Sequence, residues 1–244
     1  LAFIWDDGVM VDISSGLPGE INVGNDISNN GSIAGRFWTD GDPLGHAFAL
    51  VDGKSVSLPE PADATLSNTF AINNSDLIVG GASSLSKNGV AIRWTFPGGM
   101  SIITSNKSGQ SLARDINDLE QVVGEFITLE NEHLGFLWMQ DDIIFLQDHL
   151  ATDEPILIGD AYAINNNGQI MTTGVVGEPY SGDPHAFLLT PVNQSSTDIT
   201  GDCVTNVQDL LMLLEEWGES NSFADIDGDN SVDVTDLLAL LSGW

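Results

Sequence analysis

The stretch Asp26-Ile27-Ser28-Asn29-Asn30-Gly31-Ser32-Ile33-Ala34-Gly35 places a polar turn between two apolar runs. Asn and Gly tolerate the positive φ angles that tight hairpin turns require. The flanking segments are rich in Ile and Val and show no sustained helical period, which is typical of β-strands. The stretch therefore predicts an antiparallel β-hairpin.

This hairpin pattern occurs four times. Its anchor isoleucines are spaced 45, 44 and 48 residues apart, at Ile27, Ile72, Ile116 and Ile164. A short apolar strand also recurs, at residues 1–5, 46–50, 90–94, 135–138 and 185–189. Repeats of about 45 residues with several short strands match one four-stranded propeller blade, whereas a parallel β-solenoid, the alternative, normally uses shorter coils. Residues 1–191 are therefore predicted to be mainly β, as a propeller-like array of about four antiparallel blades.

The blades are expected to run from one short Val-Asp strand to the next recurring apolar strand, at about 8–51, 52–95, 96–140 and 141–190. Leu1–Trp5 would then be the last strand of a blade whose remainder is missing. The chain starts within an apolar stretch, without initiator Met or signal peptide, so we expect a fragment or a processed chain. An open arc with an unprotected edge is favoured over a ring closed through Leu1–Trp5.

These repeats resemble the bacterial extracellular repeats named after their His-Ala-Phe tripeptide. His46-Ala47-Phe48 and His185-Ala186-Phe187 keep the tripeptide, while Leu1-Ala2-Phe3, Val90-Ala91-Ile92 and Leu134-Gly135-Phe136 depart from it. The resemblance covers nearly all of residues 1–190. It implies a secreted, propeller-like domain and gives no established reaction.

Composition restricts the partners. The chain has 36 acidic and 6 basic residues, a formal charge of −30, which disfavours nucleic acid and anionic membrane. It has one cysteine, which excludes an internal disulfide framework, and no apolar run long enough for a transmembrane helix. Because no basic residue follows Arg114, the C-terminal half presents a negative surface that suits cations.

The repeats show no catalytic constellation. No nucleophile elbow, His-Glu-x-x-His pair or phosphate-binding glycine loop is present. His46, His133 and His185 occupy the same repeat position, which favours an architectural role. The acidic pairs Asp6-Asp7, Asp141-Asp142 and Asp153-Glu154 are interpreted as solvated turn residues rather than as a glycosidase pair.

A different module follows a polar linker at 192–197. Residues 198–244 contain 11 acidic residues and no basic one, and they repeat once with a period of 27, so that Asp198 corresponds to Asp225 and Trp217 to Trp244. Calcium takes six to eight oxygen ligands, which a 12-residue loop supplies from positions 1, 3, 5, 7, 9 and 12. The first loop would provide Asp198, Thr200, Asp202, the Val204 carbonyl, Asn206 and Asp209. The second would provide Asp225, Asp227, Asp229, the Ser231 carbonyl, Asp233 and Asp236.

Each loop is expected to lead directly into a helix, at Asp209–Trp217 and Asp236–Leu241. The duplicated loop and helix resemble a type I dockerin, which implies two calcium ions and docking to a cohesin-like protein. Thr200 replaces a stronger ligand, so the first site should be weaker. Position 6 is Cys203 or Asn230, and Val207-Gln208 and Val234-Thr235 replace the Ser-Thr pair used for cohesin recognition in that family. Cys203 is interpreted as a passive loop residue, since anionic neighbours raise a thiol pKa.

Eight leucines lie on the two expected helices: Leu210, Leu211, Leu213, Leu214, Leu237, Leu238, Leu240 and Leu241. They are interpreted as the shared core of the module, with an exposed partner-binding face as the alternative.

Three functions remain open. The first is a secreted, non-catalytic recognition or scaffold protein with a calcium-dependent docking module, whose partners would be a cohesin-like protein, a cell-surface partner or a glycan. The second is part of a polysaccharide-degrading assembly whose catalytic region lies upstream, which enters by resemblance to dockerins alone. The third treats the C-terminal module as a structural calcium clip.

Overall fold

The chain forms two compact units, Leu1–Thr190 and Pro191–Trp244. The computed structural model describes residues 2–84, 87–103, 105, 107–152, 154–177, 183–191, 197–200, 205–220, 222 and 224–244. Of these residues, 50% lie in strands and 11% in helices, which confirms the prediction of a mainly β protein. No helix in the described ranges is both long and apolar enough to cross a membrane.

The first unit consists of five antiparallel sheets, none of which is closed within the described residues. The strands are β1 (Phe3–Asp6), β2 (Val9–Asp12), β3 (Ile21–Ile27), β4 (Ile33–Thr39), β5 (Asp42–Val51), β6 (Lys54–Ser57), β7 (Leu66–Ile72), β8 (Leu77–Ser84), β9 (Lys87–Thr95), β10 (Gly99–Ile103), β11 (Gly109–Ile116), β12 (Val122–Thr128), β13 (His133–Met139), β14 (Asp142–Phe145), β15 (Ile156–Ile164), β16 (Ile170–Val176) and β17 (His185–Leu189). The sheets are β1-β2, β3-β4-β5-β6, β7-β8-β9-β10, β11-β12-β13-β14 and β15-β16-β17, each a simple meander.

The expected blade boundaries are wrong by one strand. Each short strand such as β6 pairs with the recurring apolar strand before it, here β5, instead of opening the next sheet. The two strands are joined by Asp52-Gly53, whose φ angles of 49° and 71° form a tight hairpin turn. The four repeat sheets therefore span residues 21–57, 66–103, 109–145 and 156–189. Likewise Leu1–Trp5 does not end a sheet, because β2 pairs with β1.

Successive sheets pack face to face. The first strand of each of the last three sheets, β7, β11 or β15, lies against the two middle strands of the sheet before it, as β7 does on β4 and β5. Apolar side chains fill much of the space between the sheets, and Trp94, Phe48 and Phe136 are among the largest that are fully buried there. Among the described residues the core of this unit consists of four apolar clusters, one between each two successive sheets, and the pairing of the first two strands of each repeat sheet contains a register shift.

The Asn-rich turns connect the sheets to one another. The Asn29 amide donates to the Asn74 side-chain oxygen at 2.8 Å, and the Asn74 amide donates to Asp118 at 2.9 Å. The Asp118 amide in turn donates to the Asn166 side chain at 2.9 Å. The repeat spacing thus fixes a hydrogen-bonded ladder across four sheets, in addition to the turn chemistry expected from sequence.

The four hairpin turns of this ladder all contain a residue with positive φ, as predicted. Gly31 and Gly168 have φ of 81° and 69°, but Asp76 and Glu120 adopt 60° and 61° at the corresponding positions. A residue other than glycine pays a steric cost in this region.

Replacing Asp76 with Gly is expected to raise the stability of the first unit by about 1 kcal/mol. The change removes the positive-φ cost and also removes Asp76 Oδ1, a buried acceptor that lacks a hydrogen-bond partner among the described residues. Urea unfolding followed by circular dichroism measures the gain. Asp52→Gly relieves the same φ strain at an exposed turn but removes no unpaired buried acceptor, so its gain in stability should be smaller. An equal gain in the two variants would mean that the backbone conformation alone causes the effect.

The second unit contains two helices, α1 (Val207–Glu215) and α2 (Val234–Ser242). Both begin two residues earlier than the sequence analysis expected. The reason is a capping box in each: the side chains of Asn206 and Asp233 accept the first helical amides, while Asp209 and Asp236 reach back to the N-cap amides. The predicted linker, apart from Thr197, lies outside the described residues.

Candidate metal centre

The second acidic loop brings three carboxylates together. One oxygen from each of Asp225, Asp227 and Asp229 lies within 4.8 Å of the others. Gly228 and Asn230 adopt φ angles of 78° and 71°, which turn the chain sharply enough for alternate residues to point to the same centre. Asn therefore meets the backbone requirement of loop position 6.

Backbone amides hold the first of these carboxylates in place. Asp225 accepts hydrogen bonds from the amides of Gly228 at 2.8 Å, Asp229 at 3.1 Å and Asn230 at 2.8 Å. The amide of Ser231 donates to Asp229 at 2.9 Å. The loop is thus closed around its own acidic side chains.

Asp236 organises the loop from beneath. Its side chain is fully buried and accepts the amides of Ile226 at 2.6 Å, Asp227 at 3.2 Å and Asp233 at 2.8 Å. Asp233 serves as the N-cap of α2, where its carboxylate accepts the Thr235 amide at 2.8 Å. These two predicted ligands therefore have structural partners of their own and do not belong to the group of three.

The first loop repeats this arrangement where it is described. Asp209 is buried and accepts the amides of Thr200 at 2.8 Å and Asn206 at 2.7 Å. Thr200 also donates its hydroxyl to Asp209 at 2.9 Å. Asp198 is buried. The predicted ligands Asp202 and Val204, together with Cys203, lie outside the described residues.

The electrostatics of the two kinds of carboxylate differ. Desolvation, followed by repulsion from Asp227, Asp233 and Asp225, raises the pKa of Asp229 above its ordinary value. Burial acts on Asp236 in the same direction, but its amide donors outweigh it and lower its pKa. The charge of Asp229 is thus opposed by its acidic neighbours, whereas backbone amides stabilise the charge of Asp236.

This donor set fits a hard cation such as calcium, which binds carboxylate, carbonyl and water oxygens. Asp225, Asp227 and Asp229 would hold the ion, and its charge would relieve their mutual repulsion. The convergence of these three carboxylates could hold a metal ion and is not specific to calcium. Exposed acidic groups also occur without ions, so the assignment of calcium to this loop is a proposal.

The core shared by the two helices contains only some of the eight leucines. Leu213 and Leu240 are fully buried, and Leu210 and Leu237 pack against them. The other four are exposed by 48% to 61%: Leu211, Leu214, Leu238 and Leu241. Together with Val207, Trp217, Val234 and Trp244 they form an exposed apolar stripe on each helix, repeated at the 27-residue period. The core interpretation is confirmed for four of the eight leucines; the other four are exposed, and a partner-binding role for them stays a prediction.

A second titratable group, which sequence reasoning missed, lies in the first unit. Glu125, His133 and Asp160 come from β12, β13 and β15 and offer ligand atoms within 4.8 Å of one another. Arg114 pairs with Glu125 at 2.7 Å, and His133 with Asp160 at 3.1 Å. Because Arg114 already supplies the positive charge, we interpret this group as an ion-pair network between two sheets. No short sequence motif marks it, since its members come from three strands.

His46 ties two carboxylates together. Its Nδ1 lies 2.8 Å from Glu60 and its Nε2 lies 2.9 Å from Asp42, while Ser67 donates to Glu60. Partial burial works against the charged ring, but the bonds to Asp42 and Glu60 outweigh it and raise the pKa of His46. His185 occupies the corresponding position and makes an edge contact with Phe187. The expectation that His133 shares this position is wrong, because Leu134 pairs with Phe126 as His46 pairs with Phe37, and His133 lies one residue earlier.

The first unit is expected to lose stability as the pH rises above the unfolded histidine pKa of about 6.5 and through the raised pKa of folded His46. A raised folded-state pKa contributes stability that is complete below the unfolded value of 6.5 and disappears as the pH passes through the folded value. Melting temperatures at several pH values measure this slope, and His46→Gln should flatten it. His149→Gln, at the exposed end of a short 3-10 helix, is the matched control and should keep the slope. An unchanged slope in His46→Gln would contradict the assignment.

No family model and no curated protein matches this chain. The proposed function therefore rests on the fold and on the acidic loop.

Proposed function

We propose that this chain is a non-catalytic recognition or scaffold protein that docks to a partner through a calcium-dependent C-terminal module. The first unit would be a propeller-like domain, supported by its repeated four-stranded meanders and their face-to-face stacking. The second unit would bind two calcium ions, one in each loop. The convergence of Asp225, Asp227 and Asp229 is the single observation that carries this proposal.

The apolar stripes support a docking role for the second unit. Val207, Leu211 and Leu214 lie on one face of α1 with 54%, 61% and 48% of their surfaces exposed. Contiguous exposed apolar surface on a small unit is typical of a protein interaction site. The position of each stripe directly after an acidic loop would make its geometry depend on the bound ion, which makes docking calcium-dependent. The dockerin resemblance implies a cohesin-like partner, and the resemblance to the His-Ala-Phe repeats implies an extracellular location.

Calorimetric titration of the intact chain with calcium tests the proposal. We expect two binding sites, one of which disappears in Asp225→Asn and the other in Asp198→Asn, because each variant removes the position-1 carboxylate of one loop. Glu215→Gln, which removes an equal charge outside both loops, should leave both sites in place. Absence of calcium binding would contradict the proposal. If Glu215→Gln reduces the calcium affinity as much as Asp225→Asn or Asp198→Asn does, calcium is attracted by the general negative charge and not by specific sites in the loops.

A further inference from the structure

The third and fourth repeat sheets meet at a cluster of charged and polar side chains. The cluster consists of Arg114 from β11, Glu125 from β12, His133 from β13, and Asp160 and Tyr162 from β15. Arg114 Nη2 lies 2.7 Å from Glu125, and His133 Nδ1 lies 3.1 Å from Asp160. The Tyr162 hydroxyl donates to Asp160 at 3.3 Å, and the guanidinium of Arg114 lies 5.4 Å from the centre of the Tyr162 ring. We name these five residues the junction cluster.

The junction cluster holds two carboxylates against one guanidinium. One oxygen of Glu125 and one of Asp160 lie within 4.8 Å of each other. When both carboxylates are ionised and His133 is neutral, the negative charges outnumber the positive charge of Arg114. A single proton on the pair restores the balance, and two adjacent carboxyl groups can share it as a hydrogen bond from the protonated group to the ionised one.

The repeat shows that the fold does not require acidic residues at these positions. The corresponding pairs are Arg36 and Asn68 between the first and second repeat sheets, and Gly81 and Leu112 between the second and third. A β-carbon added to Gly81 would collide with Leu112, so these two positions face each other across the junction. Two facing carboxylates are therefore a particular feature of the third junction.

The carboxylates of the junction cluster are largely withdrawn from water. The side chains of Glu125 and Asp160 are only 12% and 14% exposed. Burial raises the pKa of Glu125; Arg114 opposes this shift, and Asp160 adds to it. Burial followed by the charge of Asp160 also raises the pKa of Tyr162, so its hydroxyl remains a hydrogen-bond donor to Asp160.

The packing around the junction cluster keeps the two carboxylates close together. Gly135 on β13 approaches β15 so closely that an added β-carbon would collide with the Gly159 carbonyl. Val123, Ile158 and Ala161 are buried in the apolar core that the third and fourth repeat sheets share. Moving the sheets apart would expose this core to water, whereas uptake of a proton relieves the repulsion and leaves the core intact.

We propose that Glu125 and Asp160 hold one proton between them in the folded chain, so that the junction of the third and fourth repeat sheets binds a proton and becomes more stable as the pH falls. The proton comes from solvent and forms one hydrogen bond between the two carboxyl groups, while Arg114 balances the remaining negative charge. The folded pair thus binds a proton that separate carboxyl groups have already released, and stability is lost as the pH rises through the release of this proton.

NMR spectroscopy of the side-chain carboxyl carbons follows this proton in the intact chain. Glu125→Gln and Asp160→Asn each remove one signal and thereby identify the pair. We expect both signals to shift together in one step at a pH above the ordinary carboxyl range of about 4. In Asp160→Asn the Glu125 signal should shift at a lower pH, because the repulsion from Asp160 is gone. Two carboxyl groups that titrate independently of each other would overturn the proposal.

Thermal unfolding tests the effect of the proton on stability. Both amide variants carry the charge of the singly protonated pair at every pH. At about pH 8 each should therefore melt about 2 to 4 °C above the unmodified chain, and this gain should become smaller near pH 5. Glu130→Gln removes the same charge from the exposed turn after β12 and should give the same shift at both pH values.

Two results of the unfolding experiment would overturn the proposal. A gain in the amide variants that does not change with pH would be a general effect of reduced negative charge. A loss of stability in both variants at about pH 8 would mean that Arg114 and His133 stabilise two ionised carboxylates. The contribution of His46 is the same in every variant and cancels from the differences. All measurements are made in chelator, so their outcomes are independent of the calcium sites proposed for the second unit.

Discussion

Replacing Gly124 with Ala is expected to destabilise the first unit by about 2 to 3 kcal/mol. A β-carbon at this position would collide with the backbone carbonyl of Leu112 and would lie 2.8 Å from the Phe136 ring. Neither neighbour can retreat, because Leu112 belongs to the paired strand and Phe136 is fully buried. Guanidinium unfolding should show a lower midpoint with an unchanged slope.

Gly16→Ala is the matched control. Nothing lies within 4 Å of the β-carbon it adds, and its φ is not in the left-handed region. This variant should be neutral or slightly more stable, since it lowers the entropy of the unfolded chain. If both variants behave alike, the close approach at Gly124 does not limit stability. Gly35 occupies the corresponding position on β4, against the Val23 carbonyl and the Phe48 ring, so the same result is expected there.

Calcium is expected to stabilise the second unit by about 4 kcal/mol at a free concentration a thousandfold above the dissociation constant. Under the proposed function the ion would bind carboxylates that converge only in the folded loop, so its binding energy would be coupled to folding. Hydrogen exchange followed by mass spectrometry reports on the amides of α1 and α2 separately from the sheets. Their protection should rise with calcium, while that of the first unit stays constant.

Asp229→Asn should act with opposite signs in the two conditions. Without calcium the substitution removes a carboxylate whose pKa is raised by desolvation and by its acidic neighbours, so α2 should become better protected. With calcium the same variant should show a smaller gain, because a ligand has been lost. Glu219→Gln, an exposed acidic residue outside the loops, should show neither effect. Loss of protection in chelator would contradict the like-charge repulsion assigned to this loop.

The repeat length and the turn residues were sufficient to predict an antiparallel, mainly β unit, because hairpin turns depend on local φ preferences at residues such as Gly31 and Gly168. They did not predict the sheet boundaries correctly. Whether a short strand pairs with the strand before it or after it depends on turn geometry. The tight turn at Asp52-Gly53 pairs β6 with the strand before it, whereas the expected division placed this strand at the start of the next sheet.

The acidic loops could likewise be located from sequence, because the 27-residue period aligns oxygen-bearing residues in both copies. The roles within a loop could not be separated. Asp225, Asp227 and Asp229 converge, while Asp236 is held by backbone amides under the loop. The capping-box spacing from Asp233 to Asp236 was present in the sequence and would have moved the predicted start of α2 to Val234.

By itself, the sequence determined the features that depend on neighbouring residues: strand-forming runs, positive-φ turns, acidic loops and the two repeat periods. Only the tertiary structure decided the features that join distant residues. It placed Glu125, His133 and Asp160 together from three strands, and it divided the leucines of α1 and α2 between a core and a surface. The same residue type is buried in Phe48 and exposed in Phe3 because burial depends on whether another sheet lies against it, which no local pattern specifies.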